Sequence, residues 1–344
     1  MNLDKKYTDY AIEQIVKLCQ IPSPSGFTQS IIQTLFEEFD ALGYKGSFSN
    51  KGSLLVEIGG QGKGLILAAH VDTLGAMIRS IKSNGRLRLT KIGGYPENTI
   101  EGENCLVHTR QRANYSGTIQ LLHPSVHVYE DVATMQRSES NIEVILDEKV
   151  VKESEVLELG IQVGDFISFD ARTRYTPSGF IKSRHLDDKA SVGILLALAR
   201  HIKEEQVALG RKVYLLFTSY EEVGHGGSSG LPSDAVEIIS VDMGAIGDDL
   251  KTDEYKVSIC AKDSGGPYDY EVTSQLISLA KQEKLNYAVD IYPRYGSDAG
   301  ASLRAGYDLR HGLIGPGIFA SHGYERTHRE GIDNTLKLLL AYLQ

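Results

Sequence analysis

Histidine and acidic residues follow apolar, strand-like segments at several widely separated points of this sequence. The segments that they follow or adjoin are LILAAHVD, SRHLDDK, VYLLFTSYEE, VEIISVD and IGPGIFASH. The residues are His70, Asp72, Asp187, Glu221, Glu222, Asp242 and His322. Open α/β sheets gather functional residues at the carboxyl ends of their strands, so we expect these side chains to meet. Imidazoles and carboxylates without thiolates are typical ligands of zinc, cobalt or manganese.

The charges of this set suit two divalent ions rather than one. Asp187, Glu222 and Asp242 together with one hydroxide would balance the positive charge of two such ions, which avoids the cost of uncompensated buried charge. Neutral His70 and His322 add ligands without altering the balance. Ions in dinuclear sites lie about 3.5–4 Å apart, so one carboxylate must bridge them. The sequence therefore predicts a dinuclear metal centre.

Each of these positions has a plainer explanation when it is taken alone. A histidine at a strand end is more often structural, and adjacent glutamates are usually solvated. Asp187 and Asp188 could cap the helix that follows them. The joint occurrence of all these residues at equivalent strand ends favours the metal centre.

The remaining histidines and one loop are given other roles. His225 is predicted to be structural or adjacent to substrate. The loop formed by Tyr295, Gly296, Ser297 and Asp298 either borders the substrate pocket or caps a helix. The histidines expected to bind no metal are His108, His123, His127 and His201.

The elements that must position the site alternate between helix and strand at both ends of the chain. Apolar periodicity predicts helices over 7–19, 28–42, 189–202, 270–284 and 334–343, and strands over 54–58, 65–69, 213–219, 237–241, 255–260 and 287–292. Short alternating stretches between residues 74 and 180 predict an all-β module. We therefore predict an α/β catalytic domain (residues 1–72 and 181–344) with a mostly parallel central sheet and helices on both faces. An inserted β domain (residues 73–180) interrupts it.

Composition excludes several classes of protein. A formal net charge of −9 and a pI of about 5.6 argue against nucleic acid or an anionic membrane as a partner. The longest apolar stretch, 193–199, is far shorter than the roughly 18–20 residues that span a bilayer. The three cysteines are scattered without a C-x-x-C pair, and the first residues lack the apolar core of a secretory signal. We expect a cytoplasmic protein with neither nucleic acid nor membrane as its partner.

Four motifs carry a family resemblance in their order and spacing. AHVDT (69–73), RHLDDKA (184–190), YEEVGHG (220–226) and VDMG (241–244) resemble the glutamyl aminopeptidase, or tetrahedral aminopeptidase, family of dinuclear metallopeptidases. Members of that family are sometimes labelled endoglucanases. The likeness extends over nearly the whole chain and includes GIQVGDF (160–166) in the inserted domain.

The resemblance implies a ligand set and a metal. His70 and Asp242 would hold one ion, Glu222 and His322 the other, and Asp187 would bridge the two. Zinc is the expected metal, with cobalt or manganese as alternatives. Peptides would be the substrates.

It also implies catalytic roles and an assembly. Glu221 would be the general base that takes a proton from water and returns it to the leaving amine. Asp72 would accept a hydrogen bond from His70 and orient its ring. Glu221 and Glu222 would face opposite ways because successive residues of an extended chain do so. The inserted β domain would mediate dimerisation, and dimers would build a homo-oligomer towards a dodecamer.

Several alternatives stay open at this point. The surroundings of His322, ASHGYERTH (320–328), differ from the common family pattern and leave His328 as a rival ligand. The closest resemblance is to a subgroup that would act on a small acylated glutamine-type dipeptide. The pattern GGSSG (226–230) matches a serine-hydrolase elbow, although it does not directly follow a strand. An endoglucanase would also use paired carboxylates, but the histidines and the lack of tryptophan oppose it. A non-catalytic binding protein would keep the fold.

Overall fold

The computed structural model describes residues 3–344, which form a ten-stranded central sheet, a closed barrel and a three-stranded sheet. The helices in this range are α1 (Lys5–Cys19), α2 (Gln29–Ala41), α3 (Glu153–Glu158), α4 (Leu186–Glu204), α5 (Tyr270–Gln282), α6 (Asp298–Arg304) and α7 (Arg329–Leu343). The strands are β1 (Gly46–Phe48), β2 (Leu54–Gly59), β3 (Gly64–His70), β4 (Gly75–Ile81), β5 (Leu87–Ile92), β6 (Asn104–His108), β7 (Asn114–Leu121), β8 (Ile142–Leu146), β9 (Phe166–Phe169), β10 (Arg174–Tyr175), β11 (Phe180–Ser183), β12 (Lys212–Thr218), β13 (Ala235–Val241), β14 (Gly244–Ala245), β15 (Val257–Asp263), β16 (Gly266–Pro267), β17 (Tyr287–Ile291), β18 (Arg310–Ile318) and β19 (Glu325–His328).

The central sheet is parallel in its middle and mixed at its edges. Its strand order is β1-β2-β12-β3-β13-β18-β15-β16, and β17 pairs with β15. β12, β3, β13 and β18 run parallel, whereas β2 and β15 flank them antiparallel. Every residue of β3 is buried, as expected for a continuous apolar strand covered on both faces. Because Thr218 of β12 lies in register with His70, these two strands end at the same edge.

Helices cover the two faces of this sheet unevenly. On one face Leu65 and Leu67 of β3 share a core with α1, α2, α4, α5 and α7. On the other face Ile66 and Ala68 pack in a smaller core with Ala299 of α6. The prediction of helices on both faces is confirmed. Most of the helical mass nevertheless lies on one side.

The strands after β3 close into a barrel of order β4-β5-β8-β7-β6-β9 with its own apolar core. The chain leaves this barrel at Phe169, and β10 and β11 join β19 instead. Four register pairs, from Phe180–His328 to Ser183–Glu325, bring the segment before α4 against the segment before α7. This pairing sets the start of α4 beside the C-terminal part of the chain. No helix within residues 3–344 combines the length and the apolar character needed to cross a membrane.

Two of the differences from the sequence prediction lie close to the site. The closing helix begins at Arg329 rather than 334, because the His328 side chain caps it by accepting a hydrogen bond from Glu330 N. No strand was assigned over β18, although the apolar segment IGPGIFASH overlaps its second half, because its glycines and proline resemble a loop. One of those glycines is required by packing, because a Cβ at Gly315 would lie 1.8 Å from the main-chain oxygen of Asp242.

Candidate metal centre

The predicted site residues come together at the carboxyl edge of the central sheet. His70 ends β3, Asp242 directly follows β13, and Glu221 and Glu222 lie in a short turn after β12. Asp187 lies at the start of α4, in a stretch whose backbone is not helical and whose peptide bond to Asp188 is cis. His322 lies between β18 and β19. One cleft of about 640 Å³ is lined by Asp187, Glu221, Glu222, Asp242 and His322, whereas His70 and Asp72 are buried behind it.

The carboxylate of Asp187 lies between two imidazoles. Its Oδ1 is 3.0 Å from His70 Nε2, and its Oδ2 is 3.3 Å from His322 Nε2. The side chain therefore points into the cluster instead of capping α4. One oxygen towards each histidine is the geometry that a carboxylate bridging two cations requires.

Asp72 acts differently from the prediction. His70 Nδ1 lies 2.9 Å from the main-chain oxygen of Asp72 and 3.7 Å from its carboxylate. The carbonyl thus fixes the orientation of the His70 ring. The buried Asp72 carboxylate instead accepts hydrogen bonds from Glu221 N (3.0 Å), Glu222 N (3.2 Å) and Ser25 Oγ (2.5 Å). Asp72 therefore positions the two glutamates.

The two glutamates diverge, but not for the reason given by an extended chain. Residues 221–223 form a single turn of 3₁₀ helix. Glu221 Oε2 lies 3.8 Å from His70 Nε2, and Glu222 Oε2 lies 3.6 Å from His322 Nε2. Each glutamate is thus directed to a different histidine. The two side chains point in different directions, as predicted, although the backbone is a 3₁₀ turn and not an extended strand.

Burial and mutual repulsion shift the protonation of the cluster. Burial, followed by the charge of Asp187, raises the pKa of Asp242 to about 7. Burial likewise raises the pKa values of Glu221 and Glu222 well above their ordinary range. Burial alone would lower the pKa of His322, but the hydrogen bond to Asp187 and the charge of Glu222 raise it to about 11. The cluster therefore carries excess negative charge that protons or cations must neutralise.

The donors also fit divalent metal ions in type and spacing. His70, Asp187 and Glu222 offer ligand atoms within 4.8 Å of one another, and so do His70, Asp188 and Asp242. These donors are imidazole nitrogen and carboxylate oxygen, which suit zinc, cobalt or manganese. Asp188 was not assigned as a ligand from the sequence. Its Oδ2 accepts a hydrogen bond from His70 N (3.2 Å), and its buried Oδ1 has no hydrogen-bond partner within residues 3–344.

Glu325 is a site residue that the sequence did not reveal. Its Oε2 accepts a hydrogen bond from Asp187 N (3.1 Å) and its Oε1 one from His322 N (3.0 Å). Burial and the charge of Asp187 raise its pKa to about 8. This one carboxylate fixes the backbone of two predicted ligands. The only sequence signal was an acid three residues after His322.

The segment between β5 and β6 also contacts the site. His322 Nδ1 interacts with the main-chain oxygen of Gly94, which lies between β5 and β6. The carbonyl accepts a hydrogen bond from Nδ1–H and so orients the ring, which leaves Nε2 as the nitrogen that faces Asp187 and Glu222. The rival ligand His328 is engaged elsewhere, since its Nε2 bonds the main-chain oxygen of Ser178.

The loop at 295–298 serves both of the roles considered for it. Ser297 caps α6 by accepting a hydrogen bond from Gly300 N, whereas Tyr295 and Gly296 line the cleft. Asp298 accepts hydrogen bonds from Thr218 Oγ1 (2.5 Å) and Gly227 N (2.7 Å). It therefore holds the loop after β12.

The serine-nucleophile alternative lacks the geometry that it needs. Ser228 Oγ donates to the main-chain oxygen of His225 (2.8 Å) and lies 3.0 Å from Lys51 Nζ. The His225 ring stacks on Tyr220 with centroids 5.0 Å apart. Within residues 3–344 no imidazole is hydrogen-bonded to Ser228, so no activated serine is formed there.

Comparison with known proteins yields both a fold and a family. YhfE of Bacillus subtilis (strain 168), named as a candidate aminopeptidase, is 48% identical over 97% of this chain and 97% of its own length. The TET1 peptidase of Pyrococcus horikoshii, described as assembling into a tetrahedron or a large octahedral shell, superimposes with a TM-score of 0.84 at 23% identity, covering 97% of this chain and 99% of its own. A Thermotoga maritima protein described as an endoglucanase shares the fold with a TM-score of 0.74 at 17% identity, covering 96% of each chain.

A match to a family model gives the family of this sequence. The family model for M42 glutamyl aminopeptidase matches residues 52–338, which include all seven predicted site residues. The match covers well over half of the chain, and this protein is therefore a member of the M42 glutamyl aminopeptidase family.

Proposed function

We propose that this protein is a dinuclear metallo-aminopeptidase that removes N-terminal residues from peptides. The observation that carries the proposal is the Asp187 carboxylate, which directs one oxygen to His70 and the other to His322. Family membership supports metal-dependent aminopeptidase activity. The geometry supports the step from one metal ion to two.

In this proposal His70 and Asp242 hold one ion, Glu222 and His322 hold the other, and Asp187 bridges them. Zinc is the first choice of metal, with cobalt or manganese as alternatives, because the donors are nitrogen and oxygen only. Divalent ions bound there would supply Lewis acidity for the scissile carbonyl and lower the pKa of a coordinated water.

Glu221 is proposed as the general base. Its carboxylate lines the cleft, and hydrogen bonds from main-chain N–H groups to Asp72 fix its backbone. Burial raises its pKa above the ordinary range of a glutamate, the direction that makes a carboxylate a stronger base. Glu221 would take a proton from the attacking water, whose oxygen bonds to the carbonyl carbon. It would then give that proton to the amine as the C–N bond breaks.

The test is hydrolysis of a panel of aminoacyl-anilides by the wild type and the Glu221→Gln variant, with zinc, cobalt or manganese added. We expect turnover that a chelator abolishes and a serine-directed inhibitor leaves intact. A cellulose oligomer and an acylated glutamine-type dipeptide belong in the same panel, because they test the endoglucanase and dipeptidase alternatives. Full turnover by Glu221→Gln would refute the assignment of the base.

We further propose a homo-oligomer in which the barrel of β4–β9, within an inserted domain of residues 73–180, mediates dimerisation and dimers build towards a dodecamer. The shared fold with a TET1 peptidase that forms a tetrahedron supports this assembly. Light scattering of the purified protein tests it.

We place the enzyme in the cytoplasm, supported by the three cysteines, which are all free and buried.

A further inference from the structure

A second cavity, of about 470 Å³, lies between the connection from α1 to α2 and the outer side of the barrel. Ile21 and Pro22 of the connection and Leu106 of β6 line it. None of the residues that line this cavity also lines the cleft at the metal centre. Small-molecule sites commonly have volumes of about 300–1,000 Å³ and often lie where two structural units meet. The cavity therefore has the size and the position of a ligand site of its own.

The carboxylates that line this cavity have no positively charged partner. They belong to Asp147, directly after β8, and Asp170, directly after β9. Within residues 3–344 the Asp147 carboxylate has no hydrogen bond or ion pair, and that of Asp170 accepts a hydrogen bond only from Arg172 N (3.0 Å). Among the same residues no lysine or arginine lines the cavity. A positively charged occupant would therefore meet two carboxylates and no competing cation.

His185 adds a buried imidazole to the lining of the cavity, since only 7% of this residue is exposed. One ring nitrogen is hydrogen-bonded to the main chain of Phe169. The other has no hydrogen-bond partner within residues 3–344. Burial, followed by the charges of Lys189 and Arg184, lowers the pKa of His185 well below its ordinary value, so the ring is neutral.

A neutral imidazole has one nitrogen that donates and one that accepts a hydrogen bond. The bond to Phe169 raises the pKa of the ring, so the ring donates it. The nitrogen without a partner in His185 is therefore an acceptor. Buried acceptors are nearly always paired with a donor, so this one indicates a donor that binds from outside the chain.

Apolar groups complete the lining. Ile21, Pro22, Leu106 and Phe169 contribute them, and burial of an apolar body against such groups is favourable. The acceptors and the apolar groups together favour a ligand that has several N–H donors, a positive charge and an apolar body. A ligand with a carboxylate is disfavoured, because it would meet Asp147 and Asp170 without a counter-ion.

We propose that this cavity binds a primary amine with an apolar body. Its ammonium group would donate hydrogen bonds to the carboxylates of Asp147 and Asp170 and to the unpartnered nitrogen of His185. The three N–H donors of an ammonium group match these three acceptors in number. This site goes beyond the proposed function and does not depend on it.

Phenethylamine and phenethyl alcohol are matched probes, because one carries an ammonium group where the other carries a hydroxyl group. Calorimetry measures their Kd values for the zinc-loaded wild type, for the double variant Asp147→Asn/Asp170→Asn and for Leu106→Trp. These three residues are exposed, so the variants should fold, and urea unfolding checks that they do. The control is Asp248→Asn, which changes an exposed aspartate outside the residues that line the cavity.

We expect the wild type to bind the amine about tenfold or more tightly than the alcohol, because hydrogen bonds between charged groups are the stronger ones. The double variant should bind the two probes equally, within about twofold, and Asp248→Asn should keep the wild-type preference. Leu106→Trp should weaken the binding of both probes, because the larger side chain takes up space in the cavity.

A double variant that keeps the wild-type preference would overturn the inference, because the amine would then be bound elsewhere, for example at the metal centre. The same conclusion follows if the wild type does not bind phenethylamine at millimolar concentration, or if Leu106→Trp binds both probes as the wild type does. These measurements involve no turnover, so they do not depend on the proposed aminopeptidase activity. Hydrolysis of leucyl-anilide by the wild type tests that activity separately.

Discussion

Replacing Glu325 by glutamine is predicted to weaken metal binding and turnover while the fold is retained. The carboxylate is buried, with 2% of the residue exposed, and accepts hydrogen bonds from Asp187 N and His322 N through its two oxygens. Glutamine has the same shape, but its amide nitrogen cannot accept a hydrogen bond. One of the two main-chain N–H groups must then lose its acceptor.

The expected loss of stability and metal affinity follows from this one lost hydrogen-bond acceptor. A buried N–H left without an acceptor costs about 1–3 kcal/mol. Part of this cost can be relieved by moving the backbone of Asp187 or His322, which displaces a proposed ligand. Loss of an outer partner of a metal ligand typically lowers metal affinity or activity by about 10–100-fold. Glu325→Ala removes both acceptors and also leaves a cavity, so its effect should be larger.

Calorimetric titration of chelator-treated protein with zinc measures the affinity, and urea unfolding measures the stability. Glu330→Gln is the matched control, since its side chain is 62% exposed and it lies in the same C-terminal segment. Its stability should stay within about 0.5 kcal/mol of the wild type. A Glu325→Gln variant with wild-type zinc affinity and wild-type kcat would show that this carboxylate does not position the ligands.

Three further predictions concern the base, the acidity of the cluster and the strand behind it. Glu221→Gln should lower kcat by roughly 10²–10⁴-fold while metal content is kept; a loss of metal instead would make Glu221 a ligand. In chelator-treated protein Asp242, with its pKa raised to about 7, holds a proton in the folded state that the unfolded state releases above about pH 4. The free energy of unfolding should therefore fall as pH rises from about 4 to 7. The increase in Tm on adding zinc should be largest near pH 7. A free energy of unfolding that does not change over this pH range would contradict the prediction. Gly315→Ala should lower Tm and metal affinity together, because its Cβ would lie 1.8 Å from the Asp242 main-chain oxygen; unchanged values for both would contradict that packing.

Local patterns in the sequence predicted the part of the site that depends on strand ends. The buried run of β3 and the polar residues that follow it are encoded within a few positions, so His70 could be found without knowledge of the rest of the fold. The same holds for Asp242 after β13. The parallel register of β3, β12 and β13 then brings these ends together.

Features that depend on long-range approach could not be predicted in this way. Glu325 reaches Asp187 because β19 pairs with β11, and the local sequence does not predict that pairing. β18 was difficult to assign because Gly315, which allows the strand to pass close to the main chain of Asp242, is more typical of a loop. The choice of the Asp72 main-chain carbonyl over its carboxylate as the partner of His70 depends on the conformation of the turn at Glu221, which the sequence pattern does not specify.

Metal analysis of the purified, active enzyme tests the dinuclear centre most directly. Elemental analysis combined with zinc titration should give two ions per chain for the wild type. Asp187→Asn should bind fewer than two and lose activity, since one carboxylate oxygen towards each histidine is what joins the two halves of the site. Full activity with one ion or none, or two ions retained at wild-type affinity by Asp187→Asn, would contradict the account.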